Sequence, residues 1–144
     1  MSFQWLEMRI TEEQERRQRE AQIRDRLPRA MDELYDDLAA CIESYNASFG
    51  ADAAEMTLQN CKIHISIREE QEGKWLQISR VDISIVLSVP GFQIERGTEP
   101  LIIEVGILPG EKVYYRDRVL DKYLSMEELT RRILDRALFP KLGE

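Results

Sequence analysis

The sequence predicts an α+β fold: a long N-terminal helix kinked or broken near Pro28, an antiparallel sheet of four to five strands, and a C-terminal helix, with the helices covering one sheet face. Three observations carry this. Apolar residues recur every three or four positions from Leu27 to Phe49, alternate with polar residues through much of Cys61 to Val119, and return to helical spacing after Ser125.

The helix is expected over Thr11 to Phe49. Thr11-Glu12-Glu13-Gln14 has the form of a capping box, in which the Thr hydroxyl and the Gln side chain satisfy free amides at a helix start. Its two halves differ in chemistry. Thr11 to Arg26 holds five acids (Glu12, Glu13, Glu15, Glu20, Asp25), five bases (Arg16, Arg17, Arg19, Arg24, Arg26) and one large apolar residue, Ile23. Such a segment has no face to bury in this chain's own core, though acid-before-base pairs four apart (Glu12 with Arg16, Glu13 with Arg17, Glu15 with Arg19, Glu20 with Arg24) help a solvated helix persist. Pro28 lacks an amide donor and crowds the preceding turn, so a kink or break is expected there. Beyond it Leu27, Met31, Leu34, Leu38, Ile42, Tyr45 and Phe49 define a buried stripe that Gly50 terminates.

Ile63, Ile65 and Ile67 alternate with Lys62, His64, Ser66 and Arg68, the rhythm of a strand buried on one face. Glu69 to Lys74 forms a polar turn, and Trp75 to Val89 a second strand closed by Pro90-Gly91. Phe92 to Glu95 fits a short edge strand, and Leu101 to Leu108 with Lys112 to Val119 flank the turn Pro109-Gly110-Glu111. Turns this short require antiparallel pairing. Ser125-Met126-Glu127-Glu128 repeats the capping-box form and opens the final helix, which Pro140 ends.

At 144 residues, with 43% apolar and 33% charged content, the chain suits one soluble domain with a substantial core. It divides into an apolar tip plus charged helix over 1–26 and a single α+β domain over 27–144. A net charge of −7 disfavours nucleic acid and anionic membrane surfaces as partners. The segment before Thr11 lacks the basic start and unbroken apolar run of a secretory signal, no stretch is apolar enough to span a bilayer, and a cytoplasmic location is expected. Cys41 and Cys61 are too few and too far apart for a disulfide framework or zinc site and read as buried thiols in a reducing compartment.

Chemistry is sparse. The one histidine, His64, has no nucleophile motif beside it and reads as a solvent-facing strand residue; Cys61 falls on the other face of that strand. Asp32, Glu33, Asp36 and Asp37 lie opposite the apolar stripe as a solvated face, without the glycine-punctuated loop of a calcium site. Asp82 and Glu104 interrupt apolar strands but fall in phase with Ser84 and Gly106, on the less buried face. Tyr114-Tyr115-Arg116-Asp117-Arg118 reads as an edge strand protected by charge. No dinucleotide fingerprint, phosphate loop or zinc-protease motif appears, and neither cofactor nor metal is expected.

The sequence therefore favours a non-enzymatic protein–protein interaction module, adaptor- or chaperone-like, that associates with itself or another protein. The contact residues expected are Phe3, Trp5, Leu6, Met8 and Ile10, an apolar cluster at the end of a helix that cannot itself pack. The alternative is a small-molecule-binding or catalytic domain. It would have a pocket between the sheet and helix 27–49, with polar contacts from Asp82, Glu104, Tyr114, Tyr115 and Arg116. A third arrangement folds Met1 to Ile10 back onto the chain's own sheet.

Overall fold

In a computed structural model describing residues 3–97, 99–109 and 112–142, one helix, α1, runs unbroken over Gln4–Phe49. Its 46 residues extend about 69 Å at 1.5 Å per residue. The helix starts seven residues before Thr11, with Phe3 as N-cap; the Thr11 hydroxyl instead donates to the Glu7 carbonyl inside the helix, 3.1 Å away. The expected capping box is therefore not used. Pro28 does not break the helix either: it sits exposed on the outer face, where its missing amide costs one backbone bond and its ring displaces no core side chain.

The burial of α1 follows its two chemistries. Leu27, Ala30, Met31, Leu34, Leu38 and Ile42 are buried; no described residue before Leu27 is. In the outer half, Glu13–Arg17 (3.1 Å) and Glu20–Arg24 (3.6 Å) form as the spacing predicts, whereas Arg16 reaches Glu20 at 2.7 Å and also pairs with Glu13, and Arg9 pairs with Glu12 at 2.9 Å. Hydrogen bonds from Arg16 and then Arg17 hold the Glu13 carboxyl down at about 2.

Seven strands follow in simple meander order: β1 (Ala54–Gln59), β2 (Lys62–Gln71), β3 (Lys74–Val86), β4 (Gly91–Glu95), β5 (Leu101–Leu108), β6 (Lys112–Asp117) and β7 (Lys122–Leu124). All six neighbouring pairs are antiparallel. The two strands beyond the five expected are β1, six residues partly of low strand propensity, and β7, three residues. β4 is the central strand rather than an edge, and what places it there is Gly91: a Cβ at that position would lie 2.0 Å from the Ile103 carbonyl oxygen, so only glycine admits β5 alongside. The first two turns hold two residues each, Asn60-Cys61 (φ 52° and 58°) and Glu72-Gly73 (φ 52° and 77°), the left-handed pairs that suit the strand twist. Cys61 is consequently exposed in a turn instead of buried in a strand, while Cys41 is half-buried.

A bulge between Ile67 and Arg68 shifts the β2–β3 register by one residue. Without it Ile65 would face Arg80; with it Ile65 faces Val81 and Ile63 faces Ile83, so both strands send their isoleucines to one side. That side carries Ile94, Phe92, Ile103, Val105 and Tyr115 and is covered by α1 and the C-terminal helix α2 (Met126–Leu138) in one core. The capping box at Ser125 is present: its hydroxyl accepts from the Glu128 amide at 3.1 Å. Asn46 ties α1 to the sheet, its side-chain amide bonding both the N–H (2.8 Å) and C=O (2.9 Å) of Ala54 as a neighbouring strand would. Among the described residues no helix is long and apolar enough to cross a membrane.

Two stability outcomes follow. Pro28→Ala should raise the urea midpoint at unchanged slope, by about 2 kcal/mol, because it restores an amide donor at an exposed site and removes a residue about 3 kcal/mol worse than Ala inside a helix, less the entropy Pro withholds from the unfolded chain. Gly91→Ala should lower stability by more than about 2 kcal/mol in the same measurement, since the added methyl must push β5 off the central strand.

Candidate functional site

Three surfaces carry the residues that chemistry or recognition could use. The first is the tip of α1. Trp5, Leu6, Met8 and Ile10 are helical, with Phe3 as the N-cap just before them, and the five retain 42–66% of their surface, so the tip does not fold back onto its own sheet. Phe3, Leu6 and Ile10 are spaced by three and four residues on one side of the helix, while Trp5 and Met8 are three apart on another. The tip is thus apolar on two sides, and nothing among the described residues covers either.

The second surface is the uncovered face of the sheet. Asp82 lies opposite His64, whose Nδ1 is 2.6 Å from Asp82 Oδ1, and Arg80 Nε is 2.9 Å from Oδ2. An ionised carboxylate can only accept, so Nδ1 carries the shared proton and Nε2 faces away. Burial acts to raise the Asp82 carboxyl, and the hydrogen bonds from His64 and Arg80 outweigh it, leaving the group below the ordinary value of 3.8. His64 is therefore a paired residue rather than a bare solvent-facing one.

Thr57 faces His64 from β1, so Thr57, His64 and Asp82 form a row across three strands in the order nucleophile, base, orienter. Among the described residues, however, Thr57 makes no hydrogen bond to His64, and backbone amides in mid-sheet are committed to the strand ladder. No oxyanion hole is available there.

The five polar residues expected to share a ligand are not brought together. Glu104 faces Gly91 and Asp82 faces Glu95, with β4 between them. Four residues along that strand and two strand spacings across put the carboxylates about 13 Å by about 10 Å apart, too far to share a proton. Glu104 is bound by Arg116 (2.9 Å), which also binds Asp121, and these two partners, Asp121 first, hold the guanidinium charge still more firmly than usual. The Tyr114 ring lies over Gly106, where a Cβ would meet its Cζ at 2.0 Å, and packs edge-on to Tyr123. Tyr115 points the other way: it is buried under α1, stacked 6.2 Å from Phe92, and burial pushes its hydroxyl up to about 12. The space expected to form a pocket between sheet and helix is filled by Met31, Leu34, Leu38, Ile65, Ile83 and Ile103.

The third surface was not expected from sequence. Where α1 and α2 both end, Tyr45, Phe49, Trp75, Ile78, Phe139 and Leu142 line an open cleft of about 280 Å³. Tyr45, Phe49 and Phe139 pack ring against ring at 4.8–6.5 Å, and Phe49 and Leu142 keep more than half their surface exposed. Gly50, at φ 121°, lets the Trp75 ring close to 3.4 Å of its would-be Cβ. Both charge signs stand on the rim: Lys141 pairs with Glu69 at 3.0 Å, and Arg68 pairs with Glu55 at 2.5 Å while its buried Nε has no hydrogen-bond partner. The elements involved are separated by up to 94 residues between Tyr45 and Phe139, which no local pattern connects.

Among the described residues no group of three or more His, Cys, Asp or Glu side chains is arranged to hold a metal ion. No protein-family model matches the chain, and comparison with curated proteins and with solved structures finds no significant match.

The Asp82 pair generates a pH signature. A carboxyl held below its unfolded-state value contributes stability that is present above the ordinary carboxylate range and is lost as pH falls through its folded-state value. Asp82→Asn should therefore lower stability by about 0.5–1 kcal/mol at pH 7, a figure reduced for partial exposure, and the gap to the parent should close below about pH 4. Urea unfolding at pH 7, 5 and 3 reads this directly; a gap of constant size would show that ionic pairing is not its source.

Proposed function

We propose that this chain is a non-enzymatic interaction module that forms a homodimer, the apolar tip of each copy seated in the aromatic cleft of the other. One observation carries the reading: tip and cleft occupy opposite ends of a single continuous helix. At 1.5 Å per residue Phe3 stands about 69 Å from Phe49, so the tip cannot reach its own cleft and acts in trans.

An antiparallel pairing of two such helices brings both tips to both clefts under one two-fold axis, the self-complementary closure typical of homodimers. Charge supports that direction. Residues 27–49 hold five acids (Asp32, Glu33, Asp36, Asp37, Glu43) and one base (Arg29), whereas residues 11–26 balance. A parallel pair sets acidic half against acidic half; an antiparallel pair sets each against a neutral one.

The chain's net acidity argues against nucleic acid or an anionic membrane as the alternative partner. Free Cys41 and Cys61 suit a reducing compartment such as the cytoplasm. A module of this kind would act by presenting or shielding surfaces, as adaptors and chaperones do.

The test is light scattering on the full chain and on two variants, Leu6→Glu with Ile10→Glu in the tip and Trp75→Ala in the cleft. The parent should run at twice its 16.9 kDa chain mass, and both variants as monomers with unchanged far-UV circular dichroism. Mixing the two variants should recover a weaker one-to-one pair, because one intact tip still meets one intact cleft. A monomeric parent, or a dimer indifferent to both changes, overturns the reading.

A further inference from the structure

The sheet has two free edges, and they are built differently. β7 offers three residues and opens with Lys122, whose charge discourages a further strand. β1 offers six, with no lysine, no proline and no bulge, since all six stay in register with β2. Its one charge, Glu55, is tied to Arg68 on the neighbouring strand. From Met56 onward β1 therefore has none of the usual protections of an exposed edge.

The alternation of backbone groups shows which of them are free. The two-residue turn Asn60-Cys61 makes Gln59 and Lys62 a hydrogen-bonded pair, and at the other end Arg68 donates to the Ala53 carbonyl at 2.7 Å. Glu55, Thr57 and Gln59 thus direct their N–H and C=O groups to β2, and Ala54, Met56 and Leu58 direct theirs away from the sheet. At Ala54 both groups are taken by the Asn46 side chain, at 2.8 and 2.9 Å. Among the described residues nothing takes those of Met56 and Leu58.

We propose that this edge is a docking site for the same edge of a second copy, the two β1 strands pairing antiparallel about a two-fold axis at Thr57. Met56 then faces the partner's Leu58, and Leu58 the partner's Met56. Each facing pair exchanges two hydrogen bonds, so the free N–H and C=O groups of both residues are used in both copies. The neighbouring registers fail. Setting Met56 against the partner's Met56 puts Leu58 against an Ala54 that Asn46 already occupies; setting Leu58 against the partner's Leu58 puts Met56 against Asn60, which the turn carries off the strand line. In the remaining register Glu55 faces Gln59, so no like charges oppose, and on the helix side Met56 meets Leu58, both half-buried against the core.

The edge shares no residue with the α1 tip or the aromatic cleft, so this inference stands or falls separately from the tip-to-cleft dimer. A contact this short buries little surface. It joins two such dimers only at concentrations above those at which the dimer itself forms.

The experiment is sedimentation velocity, from micromolar to millimolar concentration, on the full chain carrying Leu6→Glu and Ile10→Glu, which removes the tip contact and leaves the edge alone. This chain should associate to a dimer in the upper part of that range. Adding Leu58→Pro deletes an outward amide and no bond to β2, and should leave the chain monomeric throughout. Adding Thr57→Lys or Thr57→Glu sets like charges across the axis, and each should weaken association severalfold at unchanged far-UV circular dichroism. An equimolar mixture of those two sets opposite charges there and should restore association to at least the level of the unmodified edge. A monomer at every concentration overturns the proposal, as does association that Leu58→Pro leaves intact. A mixture of the Thr57 variants no tighter than either alone overturns the register and the proposal with it; should Leu58→Pro fail to fold, the Thr57 set decides alone.

Discussion

Everything else in this molecule depends on one packed stripe, Leu27 to Ile42, lying on the isoleucine face of the sheet. Fully burying a large aliphatic side chain is worth about 1.5–3 kcal/mol, so Leu27, Met31, Leu34, Leu38 and Ile42 together contribute on the order of 10 kcal/mol gross, as an upper estimate. Surface ion pairs along the outer half contribute a few tenths of a kcal/mol each. The disparity explains how a segment with nothing to bury remains helical. Starting a helix is the unfavourable step, and extending one is close to neutral. The packed half supplies the start, and the arginine–glutamate pairs then have only to propagate it outward. Pro28 lies one residue past the stripe's beginning, where the packed turns on its C-terminal side hold the geometry that it would otherwise relax.

The same stripe explains which parts of the fold were legible in the sequence. The half-buried strands β2, β3 and β5 and the amphipathic parts of both helices show their period because one face of each meets the core. β1 carries the same alternation, Ala54, Met56 and Leu58 against Glu55, Thr57 and Gln59, but partly in poor strand formers, and β7 is without it. Ala54 and Met56 are weak strand formers at the sheet edge, and Lys122–Leu124 is too short to have a period. β4 reads as an edge because five residues between turn signals look peripheral, but its central place is set by a tertiary close approach at Gly91 that no local pattern displays. Thr11 misled for a related reason. A capping box stabilises a helix start where the chain has no preceding turn, and here an uncapped turn from Phe3 onward supplies one, leaving the Thr hydroxyl to bond within the helix.

For the candidate sites the division is sharper. The tip was legible because it is local: five large apolar residues within eight positions, next to a segment that cannot pack. The His64–Asp82 pair was not, because it depends on the bulge. Extending the register of the Glu72-Gly73 turn without a shift would set His64 against Val81, and only the one-residue slip at Ile67/Arg68 places it against Asp82. Alternation does require such a slip somewhere, since the isoleucines of the two strands could not otherwise share a face, but it does not say where. The aromatic cleft draws on the C-terminal ends of both helices and on distant strands, and is a product of the topology alone.

The distribution of these surfaces constrains any assembly. The open sheet face carries its own ion pairs, Asp82 with His64 and Arg80, Glu104 with Arg116, and exposed apolar residues gather at the two ends of the helical rod as well as on the turns at Leu87, Leu108 and Val119-Leu120. Complementary patches at opposite ends of a rod can join in two ways. Head-to-tail contacts leave a free tip and a free cleft at each end and grow into an open chain; an antiparallel pair satisfies all four patches and stops. Which results depends on whether the rod is straight enough for both contacts to form at once, because a bend of the solvated half would lift one tip out of register while leaving the other seated. In the dimer proposed above, the balanced charges between Thr11 and Arg26 would have a definite role. Having no net charge to attract or repel, they would keep the rod extended and leave the choice of partner to its ends.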